Sequence, residues 1–505
     1  MASEQVFGVT PPISVNLPTE AEKRASDALI EELRRQKTWK VLASLQEICN
    51  EFVRNVAKEK EPKNEILIKN ARGKVFTYGS FRLGVFGPGS DIDTLIVAPK
   101  YVTREDYFKH FPELLVSMAP KGAITDLTVV TDAFVPIIKF EYSDISIDLI
   151  FSRIIQKQIS PDFDNLKDSS LLRGLDEAEL RSLNGTRVTD EILALVPEES
   201  TFKLALRAIK LWAQRRAVYA NIMGFPGGVA WAMLVARVCQ LYPKAAISVI
   251  VNKFFLVAAL FQSVSGIPRY ADVVHLQVYK GDSFHLMPVI TPAYPSMCAT
   301  FNITRSSMTV IQRELRRGLE ISEQIMVGKR PWSDLFVKHT FFTSGYRYYI
   351  SVVSASKDKE AHKVWSGYVE SKVRMLVQKL EQHPSIALAH AFNKGYDRRH
   401  LCKNDLEIEQ VQEGSLEFMI KDEGNNQSGE TAAPKTGEKD GSSEPVSPAE
   451  VFTTTHYIGL ELEEGAKSLD LSYQVDEFKV LCTQWKKYQD ELQQSVSLGV
   501  QHVRK

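Results

Sequence analysis

The chain has 505 residues, 44% of them apolar and 25% charged, and its 62 basic residues balance its 62 acidic residues. This composition excludes a collagen-like or wholly disordered chain, and the longest apolar run, Phe254 to Phe261, is too short to span a membrane. Five cysteines without a C-x-x-C pair argue against a disulfide framework or a cysteine-rich zinc site. The polar start of the chain lacks a signal-peptide core, so a reducing intracellular compartment is expected.

The first third of the chain is predicted to form a sheet flanked by helices. Apolar residues at helical spacing predict helices over Ala21–Lys37, Trp39–Lys58 and, further on, Leu171–Leu195. Alternating apolar residues predict strands over Lys74–Tyr78, Thr94–Ala98, Ala133–Glu141 and Ile145–Phe151. The last two strands are separated by a turn at Tyr142–Asp144, which favours a hairpin.

The middle third is predicted to be helical. A helix over Thr201–Gly224 carries five basic residues and no acid. A glycine-rich turn follows, and then helical patterns over Val229–Leu241, Ala245–Phe261 and Asn302–Val327. The three prolines between Met287 and Pro295 exclude one continuous helix there.

The last third mixes strands and helices. Strands are predicted at Tyr346–Val353, Ile386–Phe392, Ser415–Ile420, Phe452–Leu462 and Leu469–Tyr473, and helices at Lys363–Gln382 and Asp476–Gln494. Residues 422–450 hold seven acids, two lysines and no aromatic residue. Such a segment cannot bury enough apolar surface to order itself, which predicts a disordered loop.

Three carboxylates form the most informative pattern. Asp91 and Asp93 stand two residues apart on a predicted strand, so their side chains share a face and repel each other unless a cation lies between them. Asp148 interrupts the apolar alternation of another strand. Oxygen ligands favour Mg²⁺ or Mn²⁺, and three convergent acids can hold two such ions for phosphoryl or nucleotidyl transfer. Gly79 and Ser80, ahead of a predicted short helix, offer a phosphate backbone N–H groups and a hydroxyl.

The basic helix supports the same chemistry less specifically. Lys203, Arg207 and Lys210 follow one another at spacings of four and three, which places them on one helical face. Such a face suits a triphosphate or an RNA backbone, but a solvated helix surface would have the same pattern.

Gly-Ser, a ten-residue spacer, Asp-x-Asp and a later strand Asp resemble the DNA polymerase β-like nucleotidyltransferase superfamily. Longer blocks resemble the nuclear poly(A) polymerases of eukaryotes, with a fungal character. These blocks are Val6–Ser14, Phe76–Leu95, Asn184–Asp190, Leu206–Arg216, Gly224–Ala232 and Met287–Pro295. Two segments differ from that family: the chain is shorter near residues 39–41, and a Trp-Pro-rich segment between Phe254 and Met287 is absent.

This resemblance implies an α+β multidomain fold. Residues 1–30 would pack on the middle domain, and residues 31–196 would form a mixed-sheet nucleotidyltransferase catalytic domain. Residues 197–342 would form a helical middle domain. Residues 343–505 would form an RNA-binding domain, an α/β sandwich related to the RNA recognition motif.

The resemblance also implies site residues and an activity. Asp91, Asp93 and Asp148 would be the catalytic acids and the ligands of two Mg²⁺ ions, for which Mn²⁺ can substitute. Contacts to ATP would come from Tyr78, Gly79, Ser80, Ser90, Lys210, Tyr219, Asn221, Gly228 and Val229, and contacts to RNA from Phe134, Val135 and Lys139. The implied activity is template-independent addition of AMP from ATP to the 3′ end of pre-mRNA. The implied setting is the nucleus, with cleavage and polyadenylation factors as partners and no membrane.

Two alternatives stay open at the level of sequence. The enzyme could belong to the same superfamily but add uridylate or CCA. The differing middle segment also leaves open a catalytically silent RNA-binding protein, although the three intact acids favour activity.

Overall fold

The computed structural model describes residues 14, 16–33, 41–87, 90–131, 135–263, 282, 284–420, 448–466 and 469–504. The chain divides into two compact units. The first comprises Met1–Ala213, Pro226–Phe301 and Leu315–Phe336, and the second comprises Gln214–Phe225, Asn302–Glu314 and Val337–Lys505.

The first unit begins with helices and a five-stranded sheet. Its helices are α1 (Glu20–Leu33), α2 (Val41–Lys60), α3 (Glu65–Asn70), α4 (Gly79–Arg82) and α5 (Arg104–Met118). Its strands are β1 (Lys74–Thr77), β2 (Ile92–Ala98), β3 (Ile124–Val130), β4 (Ile137–Tyr142) and β5 (Ile145–Arg153), in the order β1-β2-β5-β4-β3. Only β2 and β5 run parallel, so the predicted mixed sheet is confirmed. The sequence pattern missed β3, which alternates poorly and is half-exposed.

The central strands are buried on both faces because helices cover both. On one face, Phe52 of α2 meets Tyr107 and Phe111 of α5 edge-on or tilted, and the Tyr107 hydroxyl donates to the Leu149 carbonyl at 3.0 Å. On the other face, Leu95 packs in a cluster with Leu183. Because both faces of the sheet are covered, the residues of β2 from Leu95 to Ala98 are all apolar.

Further helices are α6 (Glu177–Leu195), α7 (Glu199–Arg215), α8 (Gly228–Leu241), α9 (Ile247–Ser263) and α10 (Arg305–Met326). The first unit contains α6, α8, α9, nearly all of α7, and α10 from Leu315 onward, while the start of α10 belongs to the second unit. Their core is aromatic, with Trp212 set edge-on against Trp231 and Phe255 at ring-centroid distances of 5.7 and 5.0 Å. Helix α1 packs on α9, where the Ser26 hydroxyl donates to that of Ser248 at 3.1 Å.

The second unit contains β6 (Tyr348–Ser356), α11 (Lys359–Leu380), β7 (Ile386–Ala391), β8 (Tyr396–Cys402), α12 (Asp405–Gln412), β9 (Ala449–Leu462), α13 (Ser472–Thr483) and β10 (Val496–Arg504). The sheet order is β10-β6-β9-β7, with β8 also paired to β9. Helix α11 packs on this sheet through a stripe that includes Trp365 and Val373. The predicted α+β class is therefore confirmed.

Two predicted strands in this unit are wrong. Residues 415–420 form turns with a single bridge at Met419, and Leu469–Tyr473 leads into α13, which begins at Ser472. The predicted helix Asp476–Gln494 is interrupted, because α13 ends at Thr483 and a short π-helical turn follows at Tyr488–Leu492. The sequence pattern missed β8, α12 and β10. The two strands are completed by partners distant in sequence, and such strands show little alternation of their own.

Several predictions fall outside the described residues. These cover residues 1–13, the shortened region near residues 39–40, Phe134, most of the differing segment 262–283, and the predicted loop up to residue 447. That loop was predicted to end at Glu450, but β9 already begins at Ala449. No helix in the described part of the chain is long and apolar enough to cross a membrane.

Candidate active site

The three predicted catalytic acids come from two adjacent parallel strands. Asp93 of β2 is the direct register partner of Asp148 of β5. Asp91 immediately precedes β2 and is exposed, while Asp93 and Asp148 are partly buried. The Thr94 hydroxyl donates to the Asp148 carbonyl at 3.2 Å and fastens the two strands at this point. The pairing therefore brings together carboxylates that are 55 residues apart in the chain.

The turn between β1 and α4 lies against Asp93. Gly79 adopts a φ of +58°, and a Cβ atom added there would lie 2.3 Å from the Asp93 Oδ2 atom. The backbone N–H of Tyr78 donates to the Asp93 carbonyl at 3.0 Å, and that of Gly79 donates to the Thr189 hydroxyl at 3.3 Å. A glycine is needed here both for the left-handed backbone and for the close approach of the carboxylate.

Lys139 lies beside the acids. It is the register partner of Asp148 in the antiparallel β4–β5 pair. Its Nζ atom is 2.8 Å from Asp148 Oδ2 and 3.0 Å from Asp148 Oδ1, and half of its side chain is exposed. The residue predicted to contact RNA therefore forms an ion pair with one of the predicted catalytic acids.

Helix α7 supplies the second lysine. Lys210 interacts electrostatically with Asp93 and Asp91, and one turn earlier Arg207 donates to the Gly84 carbonyl at 2.7 Å. Lys203 forms an ion pair with Glu199 at 2.6 Å. This acid lies just before the predicted helix Thr201–Gly224, which itself contains no acid. The predicted common face of the three basic residues is thus directed at α4, its following turn and the acids.

Charge and burial shift the pKa values of this group strongly. Burial, with Asp148 and Asp91 adding repulsion, raises the pKa of Asp93 to about 7 against the opposing effect of Lys210 and Lys139. Burial also raises the pKa of Asp148, which Lys139 partly offsets, and lowers the pKa of Lys210. The pKa of Tyr78 is raised by burial and by the negative charges of Asp93 and Asp148.

This arrangement fits a divalent cation. Asp93 and Asp148 are register partners, and Asp91 interacts electrostatically with both. Two lysines do not balance these three carboxylates, and the ionisation of Asp93 is unfavourable without a further positive charge. Hard carboxylate oxygens are the ligands that Mg²⁺ and Mn²⁺ prefer. Asp91, Asp93 and Asp148 are the residues that would hold such ions.

The other predicted nucleotide contacts in the first unit lie on turns and helix starts. Ser80 stands in α4, and the Ser90 hydroxyl accepts the Gly87 N–H at 3.1 Å. Gly228 and Val229 begin α8, with Val229 exposed. Val135 is half-buried and packs near β1 and β5, while Phe134 lies outside the described residues.

Two further predicted contacts belong to the second unit. Tyr219 is half-buried, and Asn221 begins a short 3₁₀ turn, Asn221–Met223. The Asn302 side chain donates to the Asn221 carbonyl at 3.1 Å, which fixes this turn. The Asn221 side-chain oxygen is buried and has no hydrogen-bond partner among the described residues.

Sequence reasoning missed residues of α6 that hold the site in place. Arg82 of α4 forms a two-pronged ion pair with Asp190, and the ring of Tyr78 packs on Gly185 so closely that a Cβ there would lie 3.0 Å from it. The signal was present in the block Asn184–Asp190, which matched the family without an assigned role.

One basic residue of the predicted helix has a structural role instead. Helix α7 ends at Arg215, so Arg216 is not part of it. The Arg216 guanidinium is buried against both carboxylate oxygens of Glu314 at 2.8 Å and donates to the Val337 carbonyl at 3.0 Å. Its charge is therefore satisfied within the second unit.

Family models of known proteins match most of the chain. Residues 8–196 match the poly(A) polymerase nucleotidyltransferase domain, residues 201–338 the poly(A) polymerase central domain, and residues 340–505 the poly(A) polymerase predicted RNA binding domain.

Individual relatives match over nearly the whole chain. Poly(A) polymerase pla1 of Schizosaccharomyces pombe is 47% identical over 96% of this chain and 90% of that protein. Poly(A) polymerase PAPalpha of Candida albicans is 46% identical over 95% of this chain and 87% of that protein. A solved structure of Cid1 poly(U) polymerase with MgGTP covers 63% of this chain and 99% of that one at 14% identity, but its TM-score of 0.42 is too low to support a conclusion. The prediction of a polynucleotide adenylyltransferase is confirmed, and the chain belongs to the poly(A) polymerase family.

Proposed function

We propose that this enzyme adds AMP from ATP to the 3′ end of pre-mRNA by a two-metal-ion mechanism. The observation that carries the proposal is the direct pairing of Asp93 with Asp148, with Asp91 immediately before the strand that holds Asp93. Membership of the poly(A) polymerase family supports ATP and an RNA 3′ end as the substrates. Nuclear localisation and cleavage and polyadenylation factors as partners belong to the same proposal.

Asp91, Asp93 and Asp148 would hold two Mg²⁺ ions. When bound, such ions supply the Lewis acidity that activates an attacking 3′-hydroxyl and offsets the charge of the departing pyrophosphate. Asp93 is held for this by the turn at Gly79, and Asp148 by its strand pairing with Asp93 and Lys139.

The lysines orient the substrates. Lys210 lies in the field of Asp93 and Asp91, where a triphosphate would bring negative charge that favours its ammonium form. Lys139 has a half-exposed side chain and is free to exchange Asp148 for a phosphate of ATP or RNA when cations bind the acids. The side chain of Ser80 and the turn at Ser90 lie on the same loops as the acids and offer hydroxyl donors.

A primer-extension assay on short oligo(A), with each nucleotide and with or without Mg²⁺, tests the proposal. Mg²⁺-dependent extension with ATP in preference to UTP, CTP and GTP is expected. A preference for UTP or CTP would refute the adenylyl assignment, and no metal-dependent extension by folded protein would favour a silent RNA-binding role.

Asp148→Ala is the decisive variant, since it should abolish extension. Its matched control is Asp144→Asn in the β4–β5 turn, which removes a charge four residues away at a φ of 63° that asparagine tolerates. The control should retain activity. Removing Asp148 also relieves repulsion with Asp93, so its thermal stability should not fall, which separates lost chemistry from lost folding.

A further inference from the structure

A second group of metal-binding side chains lies outside the catalytic motifs. Asp282, His285 and Cys298 each offer one ligand atom, and the three atoms lie within 4.8 Å of one another. In the portion of the chain that the structure describes, this is the one group of three or more His, Cys, Asp or Glu side chains with that property. The three residues belong to the first unit.

Cys298 is held on a closed hairpin. It forms an antiparallel bridge with Ile290, and next to it the Ala299 N–H donates to the Val289 carbonyl at 2.8 Å. The Thr300 hydroxyl accepts the Val289 N–H at 3.0 Å and lies 3.5 Å from the Cys298 sulfur. Cys298 is 8% exposed, and the hydrogen bonds of the hairpin hold the backbone beside it.

Asp282 and His285 approach this thiol from a tight turn, in which the His285 N–H donates to the Asp282 carbonyl at 3.3 Å. Asp282 is 9% exposed, whereas about 29% of the His285 side chain is open to solvent. The His285 Nε2 and Asp282 Oδ1 atoms are 3.8 Å apart, which exceeds a hydrogen bond but matches the spacing of two ligands on one metal ion.

We propose that Asp282, His285 and Cys298 bind one Zn²⁺ ion. Thiolate, imidazole and carboxylate together form a set that zinc uses, whereas a thiolate is a poor ligand for Mg²⁺. Tetrahedral zinc holds its ligand atoms about 3.3–3.8 Å apart, and the three ligand atoms of this group lie within 4.8 Å of one another. A water molecule reaching the exposed edge of His285 completes the coordination.

The ion would have a structural role. It would join Asp282 and His285 to the hairpin that contains Cys298. A cross-link of this kind stabilises the folded state by the free energy of metal binding.

Cobalt provides the test, because thiolate-to-cobalt charge transfer in the near ultraviolet reports a Cys ligand and the carboxylate site cannot produce it. Full-length protein freed of metal with a chelator is titrated with Co²⁺ and then with Zn²⁺. We expect one equivalent of Co²⁺ with the thiolate band, displacement of the band by Zn²⁺, and protection of Cys298 from iodoacetamide, mapped by mass spectrometry.

Cys298→Ser and His285→Ala should each lower zinc affinity by at least about 100-fold, since even outer-shell partners contribute 10- to 100-fold. Cys239→Ser, which changes another buried thiol of the same unit, should leave the band intact. Absence of the thiolate band in the folded wild-type protein, or its persistence in Cys298→Ser, would overturn the proposal. If Cys298→Ser fails to fold, His285→Ala and the alkylation pattern of the wild-type protein decide.

Discussion

Lys139 and Asp148 face each other across the β4–β5 pair, with the ammonium group 2.8 and 3.0 Å from the two carboxylate oxygens. The lysine therefore pairs with a carboxylate that is predicted to bind a divalent cation. This relationship connects the charge balance of the site to its metal affinity.

Replacing this lysine should strengthen metal binding while weakening catalysis. In Lys139→Met, a cation no longer competes with an ammonium group, so Mn²⁺ affinity without substrates should rise about two- to fivefold, matching a half-exposed ion pair of up to about 1 kcal/mol. Mn²⁺ titration followed by electron paramagnetic resonance measures this. Lys139→Arg keeps the charge and should leave the affinity close to that of the wild type. Equal Mn²⁺ affinity in wild type and Lys139→Met would show that the pair does not oppose metal binding.

Gly79→Ala should reduce catalytic activity by much more than its loss of stability can explain. The left-handed backbone costs an alanine about 1–2 kcal/mol, and the added Cβ must displace the Asp93 carboxylate. The matched control is Gly174→Ala, which has a φ of +69° but no atom within 4 Å of the added Cβ. We expect similar losses of unfolding free energy in both variants and a loss of kcat in Gly79→Ala alone. Similar kcat values in the two variants would contradict this role for Gly79.

The buried Arg216–Glu314 pair should be strongly coupled. Arg216→Met leaves the Glu314 carboxylate buried without its guanidinium, which should lower the free energy of unfolding by about 3–5 kcal/mol. The double variant Arg216→Met/Glu314→Met removes both charges and should recover much of that loss. Urea unfolding of the wild type, both single variants and the double variant gives the coupling energy. Additive single losses would show that the two charges act independently.

Acid should destabilise the second unit through buried histidines. Burial lowers the pKa of His456 to about 4 and that of His390 to about 3, against about 6.5 in an unfolded chain. As the pH falls below 6.5, the unfolded state takes up protons first, so each histidine lowers the free energy of unfolding by up to about 1.4 kcal/mol per pH unit until its folded pKa is reached.

His456→Gln tests this linkage, since neither ring nitrogen of His456 has a hydrogen-bond partner among the described residues. Thermal unfolding between pH 8 and 4 should show a shallower acid slope in the variant. Any difference at pH 8, where the histidine is neutral in both states, measures packing alone. Parallel pH profiles would exclude His456 as a source of the acid sensitivity.

The local sequence determined much of this protein. The spacing of Asp91 and Asp93 predicted neighbouring carboxylates, because a strand has a period of two, and the blocks around Gly79, Lys210 and Gly228 indicated the family. The helices α2 and α10 also follow from apolar periodicity, because each buries an apolar stripe. The position of each candidate in the catalytic chemistry stays a prediction.

Only the tertiary structure decided what depends on partners distant in the chain. The pairing of Asp93 with Asp148 and of Lys139 with Asp148 depends on strand order and register, which no local pattern encodes. The same holds for β8 and β10, which gain their hydrogen bonds from β9 and β6, and for Arg216, whose apparent surface charge is neutralised by Glu314. The equal numbers of acids and bases in the composition therefore reveal little about the site, because function depends on which charges the fold brings together.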